Sequence, residues 1–241
     1  MKRIFDILFG IVGIFLLSPI LLVFIFLVWK QDFYSPFYIS SRIGKDHNNF
    51  NFIKLRSMVV NADSTGVDST SANDRRITTT GSVIRKYKID EIPQILHVLS
   101  GKMSFVGPRP NVSSDVDLYT TEEMKLLSVR PGITDISSIV FSDEGDILSG
   151  SDDPDLKYNQ VIRPWKSRLG LLYIDNAGII LDIVLIFITI LAIISKKSAL
   201  KLINKLLVVL GAEEALVKVC KREVELVPYP PPGSHEIVLK R

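Results

Sequence analysis

At 241 residues the chain has room for one compact domain plus membrane-associated elements, and its 47% hydrophobic content and mean hydropathy of +0.28 exceed those of an ordinary soluble domain. Twenty-nine Lys and Arg against 26 Asp and Glu leave a formal charge of +3, too small to argue nucleic-acid binding from bulk electrostatics. One cysteine, Cys220, excludes an intramolecular disulfide and a multi-cysteine zinc site and reads as a small apolar filler; His47, His97 and His235 lack metal-ligand spacing.

From Ile4 to Trp29 the chain is almost wholly apolar, with Lys2 and Arg3 before it, Lys30 after it and Asp6 as its one charge. A straight helix of about 26 residues at roughly 1.5 Å each reaches ~39 Å, enough to cross a hydrocarbon core of ~30 Å. The stretch also carries Ser18-Pro19 near its middle, and Pro19 cannot donate to the Phe15 carbonyl. A break there would fold the segment into a hairpin that enters one leaflet and returns, placing Lys2, Arg3 and Lys30 on one face. On the residues alone, span and hairpin both stand.

Phe37-Tyr38-Ile39 and Phe50-Asn51-Phe52-Ile53 read as short strands joined by a polar turn at Gly44 to Asn49. Asn61 to Thr80, rich in Ser, Thr, Asp and Asn, reads as a loop. A helix is expected at Gly81 to Lys88. Another begins at Asp90 as its N-cap, with Ile92, Ile95, Leu96 and Leu99 as an apolar stripe and Gly101 as its stop. Thr121 to Val129 and Asp155 to Arg168 look helical, with an acidic loop from Asp143 to Asp155 between them. Gly178 to Ile194 is apolar but contains Asp182 and is marginal in length for spanning, so a helix in the membrane interface or packed beneath it competes with a span. Leu200, Ile203, Leu206, Leu207 and Leu210 form an amphipathic face opposite Lys197, Lys201 and Lys205, suited to an anionic membrane surface or a partner helix, and so a candidate dimer surface. Pro228 to Pro232 reads as an extended tail.

The chemistry concentrates in Arg85 to Gln94 and Ser104 to Pro110. Two adjacent carboxylates, Asp90 and Glu91, at a first helical turn would meet free N–H groups and the positive end of the dipole, which favours their anionic form. An ionised Asp can be a nucleophile or a ligand for Mg²⁺, which is commonly held by one or two carboxylates plus substrate phosphates. Arg85, Arg109 and Arg130 offer the forked donors a phosphoryl group needs. An isolated Asp-Glu pair is more often just a cap and a first-turn acid, with the arginines a solvated face. The prolines that flank Arg109 in Gly107-Pro108-Arg109-Pro110 weigh against that reading, because they mount its guanidinium on a stiff loop.

Taken jointly, several segments resemble the bacterial monotopic phosphoglycosyl transferases, the sugar transferase family. They are Lys2-Arg3-Ile4-Phe5-Asp6, the Ser18-Pro19 break, Arg42-Ile43-Gly44, Phe52 to Met58, Arg76-Ile77-Thr78, Arg85 to Gln94, Ser104 to Pro110 and Arg130 to Thr134. The resemblance runs from Met1 to about Ile194. It implies that Asp90 attacks the β-phosphorus of a UDP-sugar to give a phosphosugar-aspartyl enzyme and UMP, after which undecaprenyl phosphate takes the phosphosugar. It implies that Glu91 assists Mg²⁺ binding or proton transfer, that Arg109 holds phosphate, and that Arg85, Arg130 and Lys54 contact substrate. It further implies a re-entrant N-terminal hairpin on the cytoplasmic face of the bacterial inner membrane.

The sequence departs from the family pattern at Lys102, which replaces an acid. It departs again at Asp135-Ile136-Ser137-Ser138, where Gly-Trp-Ala-Gln is common. The expected architecture is α+β and mainly helical, with a membrane hairpin over 1–30, a catalytic domain over 31–195 and an amphipathic, Pro-rich extension over 196–241. Two other readings use the same residues: a noncatalytic membrane scaffold that binds lipid phosphates, and a membrane-bound, Mg²⁺-dependent phosphodiesterase.

Overall fold

The computed structural model describes residues 1–66, 69–71 and 74–240. It is mainly helical with two small two-stranded sheets. The chain begins with α1 (Lys2–Asp32), one continuous helix with Pro19 inside it. The expected break into two helices is therefore not seen. Its physical reason is local: Pro19 orphans the Phe15 carbonyl, and the Ser18 hydroxyl donates to that same oxygen at 3.1 Å. Most of the helix's apolar surface, including Phe15, Leu16, Ile20, Leu22 and Val23, is exposed.

Both ends of α1 are fastened to the domain. At the start, the buried Asp6 carboxylate accepts from the Ser104 hydroxyl at 3.0 Å and the Phe105 N–H at 3.1 Å. Lys2 donates to the Val106 carbonyl at 3.0 Å and pairs with the buried Asp182, and Arg3 donates to the carbonyls of Val98 and Leu99. At the far end, Asp32 receives a two-pronged contact from Arg56 at 2.6 Å for each oxygen, while Val28 is buried with Leu55, Ile84 and Ile89.

The hairpin of β1 (Phe37–Ile43) and β2 (Asn49–Leu55) comes next, antiparallel with Tyr38 opposite Lys54 and Arg42 opposite Phe50. Of the expected loop 61–80, residues 67, 68, 72 and 73 lie outside the described residues; Ala62–Thr65 forms a 3₁₀ turn. Beyond it lies α2 (Thr79–Lys86), capped by the Thr78 hydroxyl accepting from the Gly81 N–H. Gly81 is obligatory: a Cβ there would sit 1.8 Å from the Ser57 carbonyl oxygen. After a 3₁₀ turn (Ile89–Gln94) comes α3 (Ile95–Leu99), ended by Gly101 at φ +82°. Of the expected stripe, Ile95 is buried and Ile92 and Leu99 half-buried, but Leu96 is exposed because the first turn is 3₁₀ and its side chains fall out of α register.

The parallel pair β3 (Ser104–Val106) and β4 (Gly132–Thr134) brackets α4 (Ser113–Val116) and the 3₁₀ stretch Glu123–Ser128. Then come α5 (Ile136–Val140), whose N-cap Asp135 forms a capping box with Ser138, and α6 (Glu144–Leu148), within the expected acidic loop. A helical stretch joins α7 (Pro154–Lys157), a π turn at Tyr158–Ile162 and α8 (Arg163–Asp175).

Helix α9 (Ile179–Ile194) packs Leu181, Leu185 and Ile188 inward and leaves Ile183, Phe187, Ile190 and Ile194 exposed. The amphipathic face expected to seek a membrane or a partner is instead covered within the chain. In α10 (Lys196–Val209), Ala199, Ile203 and Leu207 are fully buried in the main core, joined by Leu216, Val219 and Cys220 of α11 (Glu214–Lys221). Burial pushes the Cys220 thiol up to about 12, in keeping with a core filler. The Pro-rich segment is strapped down rather than trailing: Tyr229 stacks on Trp165 at 4.3 Å and the Pro232 carbonyl accepts from Thr120.

Asp6→Ala would leave the Ser104 hydroxyl and Phe105 N–H buried without an acceptor. The expected cost is about 2–4 kcal/mol, read as a lowered thermal unfolding midpoint in detergent.

Candidate active site

Strand alternation sets the first wall of the site. Arg42, Phe52 and Lys54 lie on one face of the β1–β2 hairpin, with the Arg42 guanidinium and the Lys54 ammonium 5.8 and 5.6 Å from the Phe52 ring centroid. They line a cleft of about 840 Å³ together with Arg85, Lys88, Asp90, Glu91 and Arg109. The odd positions of β2 face away from it: Leu55 packs on Val28 of α1.

Asp90 is not the helix cap that its sequence context predicts. The residue that turns the chain is Lys88, whose backbone is left-handed at φ +57°, an uncommon conformation for a side-chain-bearing residue. Asp90 therefore enters a 3₁₀ turn as a buried side chain. Its Oδ1 accepts no hydrogen bond, and its Oδ2 lies 4.0 Å from Lys54 Nζ. Burial raises the Asp90 pKa, and Lys54 opposes the rise. The dipole argument for a stabilised anion thus loses to desolvation. What remains is a poorly solvated carboxylate with Lys54 as its nearest cation and Lys88 and Arg85 farther off.

Glu91 is held differently. Arg109 donates to its Oε1 at 2.8 Å. Burial would raise its pKa, but Arg109, Lys88 and Lys54 together pull it down to about 2. Glu91 in turn raises the pKa of Arg109. Lys54 is drawn down to about 8, first by burial and next by Arg109. Neighbouring carboxylates thus have unlike environments: Glu91 is a fixed anion in an ion pair, and Asp90 has an uncommitted oxygen.

The Arg109 loop is set by the sheet beneath it. Gly107 N–H donates to the Thr134 carbonyl at 3.0 Å, and Gly132 N–H to that of Pro108 at 3.0 Å. A Cβ on Gly107 would fall 2.5 Å from the Arg130 carbonyl oxygen, and one on Gly132 2.1 Å from the Gly107 nitrogen. Backbone contact this close explains why Gly-Pro-Arg-Pro and Arg-Pro-Gly occur as a pair of motifs.

The cleft gathers Lys54, Arg85, Asp90, Glu91 and Arg109 as the sequence predicts, but not Arg130. That side chain is exposed outside the cleft lining, its Nε donating to the Gly101 carbonyl at 2.9 Å, and it serves the β3–β4 corner. Sequence reasoning missed Arg42, although period-two alternation with Lys54 would have placed it. It also missed the far wall, where Glu144 pairs with Lys166 beneath Tyr158. Tyr158 opens a π turn (Tyr158–Ile162) that leads into the helix carrying Lys166, and no local pattern announces that turn. The adjoining Asp143 receives Arg222 at 2.7 Å and Lys196 at 3.1 Å.

No group of three or more His, Cys, Asp or Glu side chains clusters for a metal among the described residues. Asp90 with its free buried oxygen, beside Glu91, still suits a hard divalent cation that keeps waters and borrows phosphate ligands.

His97, left without a chemical role by the sequence, supports the Lys54 strand: its Nε2 accepts from the Ile53 N–H at 3.0 Å, and its ring stacks on Phe52. Burial, aided by Lys102, lowers its pKa below the ordinary 6.5. The folded chain thus refuses a proton that the unfolded chain accepts, so stability is full above about pH 6.5 and is lost as pH falls below it. Denaturant midpoints from pH 7.5 to 5 should fall more steeply for the native protein than for His97→Asn.

A family model described as bacterial sugar transferase matches residues 1–196. An exopolysaccharide production protein of Sinorhizobium fredii is 33% identical over 207 residues, covering 80% of this chain and 84% of that protein. A UDP-N-acetylgalactosamine-undecaprenyl-phosphate N-acetylgalactosaminephosphotransferase of Aeromonas hydrophila is 34% identical over 197 residues, 80% of this chain and 44% of that protein. An undecaprenyl-phosphate galactose phosphotransferase of Salmonella typhimurium is 29% identical over 214 residues, 83% and 41% respectively. The chain spans less than half the length of these two phosphotransferases.

Proposed function

The chain belongs to the bacterial sugar transferase family, and from that premise we propose that it moves a phosphosugar from a UDP-sugar to undecaprenyl phosphate with Asp90 as a covalent nucleophile. The observation that carries this is Asp90 Oδ1: a buried carboxylate oxygen with no partner, facing a cleft lined by Lys54, Arg85 and Arg109. In the first step Asp90 attacks the β-phosphorus and the bond from that phosphorus to the bridging oxygen breaks. UMP leaves with the oxygen, and a phosphosugar-aspartyl ester remains. In the second, a phosphate oxygen of undecaprenyl phosphate attacks the same phosphorus and frees the carboxylate, giving the diphosphate-linked sugar.

Desolvation serves this step, because a carboxylate stripped of water attacks without first shedding hydration. Lys54, 4.0 Å away, restrains its charge, while Arg109, oriented by Glu91, offers its remaining donors to phosphate oxygens. Asp90 and Glu91 would hold Mg²⁺, which when bound neutralises diphosphate charge. Transfer to lipid rather than to water is the reading favoured over a phosphodiesterase because the strand that leads into the cleft residue Arg109 is bonded to the long apolar helix: Asp6 of α1 accepts from Ser104 and Phe105 of β3.

The same contacts support a re-entrant placement of α1. Its first turn is bonded to β3, α3 and α9 and its last residue to Arg56, so both ends stay with one domain while the exposed apolar middle is free to enter a single leaflet. Pro19 permits a bend there. The domain then sits on the cytoplasmic face of the inner membrane, where UDP-sugars and the acceptor phosphate meet.

Asp90→Asn should lower UMP release from any accepted UDP-sugar by at least about 10³-fold, with membrane association unchanged; near-native release would remove Asp90 from the role. For topology, a cysteine placed ahead of Met1 and another at Tyr34→Cys, both in a Cys220→Ser background, should resist an impermeant maleimide in intact cells and react after lysis. Periplasmic labelling of the first would instead make α1 a span.

A further inference from the structure

A second cavity, of about 500 Å³, lies away from the cleft against the C-terminal helices, and Leu191, Lys201, Asn204, Lys205 and Lys221 contribute to its lining. Lys201 and Lys205 are one helical turn apart on α10, and neither has an acidic ion-pair partner among the described residues. Lys221, at the end of α11, has only Glu223 at 3.7 Å, with both side chains largely in solvent. Like charges at this helical spacing repel, and a third ammonium in the same cavity adds to the repulsion. An anion among the three would relieve it. The Asn204 side-chain oxygen is buried and accepts no hydrogen bond, so the cavity also offers an acceptor to a hydroxyl.

The position of the cavity selects the kind of anion. Leu191 belongs to α9, whose outward stripe of Ile183, Phe187, Ile190 and Ile194 is wholly apolar and exposed, with Ile194 at 79%. The stripe has the spacing of a helix lying against a greasy phase, and the three lysines stand beside its C-terminal end. Apolar stripe and cationic cavity together match a lipid, with acyl chains along α9 and headgroup at α10 and α11.

We propose that Lys201, Lys205 and Lys221 form a binding site for the phosphate headgroup of an anionic membrane phospholipid, with Asn204 accepting from a headgroup hydroxyl such as that of phosphoglycerol. The site lies largely beyond the stretch shared with the family, residues 1–196, and is separate from the place where the acceptor lipid reacts. It rests on the membrane placement proposed above, not on the transfer chemistry.

The test uses the full chain in detergent, with native mass spectrometry to count bound dioleoylphosphatidylglycerol against dioleoylphosphatidylcholine at equal concentration. The native protein should prefer the anionic lipid at least tenfold. The Lys201→Gln/Lys205→Gln/Lys221→Gln variant should lose that preference, and the corresponding triple Arg variant should keep it, which separates loss of charge from loss of fold. An undiminished preference in the Gln variant would overturn the site. So would displacement of the lipid by an equal concentration of inorganic phosphate, which would make this a free-anion site. Asp90→Asn protein should bind the lipid as the native protein does, so failure of the transfer chemistry and failure of this inference are read separately.

Discussion

Everything in this molecule hangs from the bond between the first turn of α1 and strand β3. Asp6, in the interior, takes the Ser104 hydroxyl and the Phe105 N–H, and the half-buried Lys2 reaches the Val106 carbonyl and the buried Asp182. Buried polar groups of this kind are costly when unmatched and directional when matched. Here they fix the long apolar helix α1 in register with three consecutive residues of a strand. The next residues are Gly107, Pro108 and Arg109. A shift of α1 is thereby a shift of Arg109, and on the proposed membrane placement the depth of α1 and the geometry of the cleft become a single variable.

The second half of the anchoring works through alternation. In Lys54-Leu55-Arg56 the first side chain serves the cleft, the second packs on Val28, and the third grips Asp32. Three neighbouring residues thus answer to the cleft, to the apolar flank of α1 and to its polar end. That is why a short strand can carry so long a specific motif. It also explains why Lys54 and Asp90 face one another although 36 positions separate them in the sequence.

Much of this is legible in the sequence, and the failures have physical causes. The β1–β2 hairpin, α2 and the long C-terminal helical stretch come from period and turn chemistry, and the Asp90-Glu91-Arg109 grouping from adjacent charges, the proline-flanked arginine and the family resemblance. Asp90 is not a cap, because the left-handed backbone at Lys88 starts a tight 3₁₀ turn that no propensity forecasts. Pro19 reads as a break because a proline's missing donor is visible in a sequence, whereas a serine already positioned to serve the orphaned carbonyl is not. Arg130 looks like a phosphate ligand for its forked donors, yet the Pro-Gly that follows it is explained by the close backbone approach of Gly107 and Gly132. Periodicity sorts the amphipathic α10 correctly by face, but it cannot say whether a membrane or the chain's own core will cover that face.

Asp143 borders the cleft, yet its partners Lys196 and Arg222 sit at the edge of the shared family region and past it, and Arg222 also lies over the Phe141 ring at 4.9 Å and donates to the Val140 carbonyl. The distal helices are therefore a buttress for one side of the reaction chamber. A minimal core cut at the family boundary would retain Asp90 and Lys196 but lose Arg222 from the brace. A change in the helices past that boundary would therefore reshape the cleft wall at Asp143 without altering Asp90, Glu91 or Arg109.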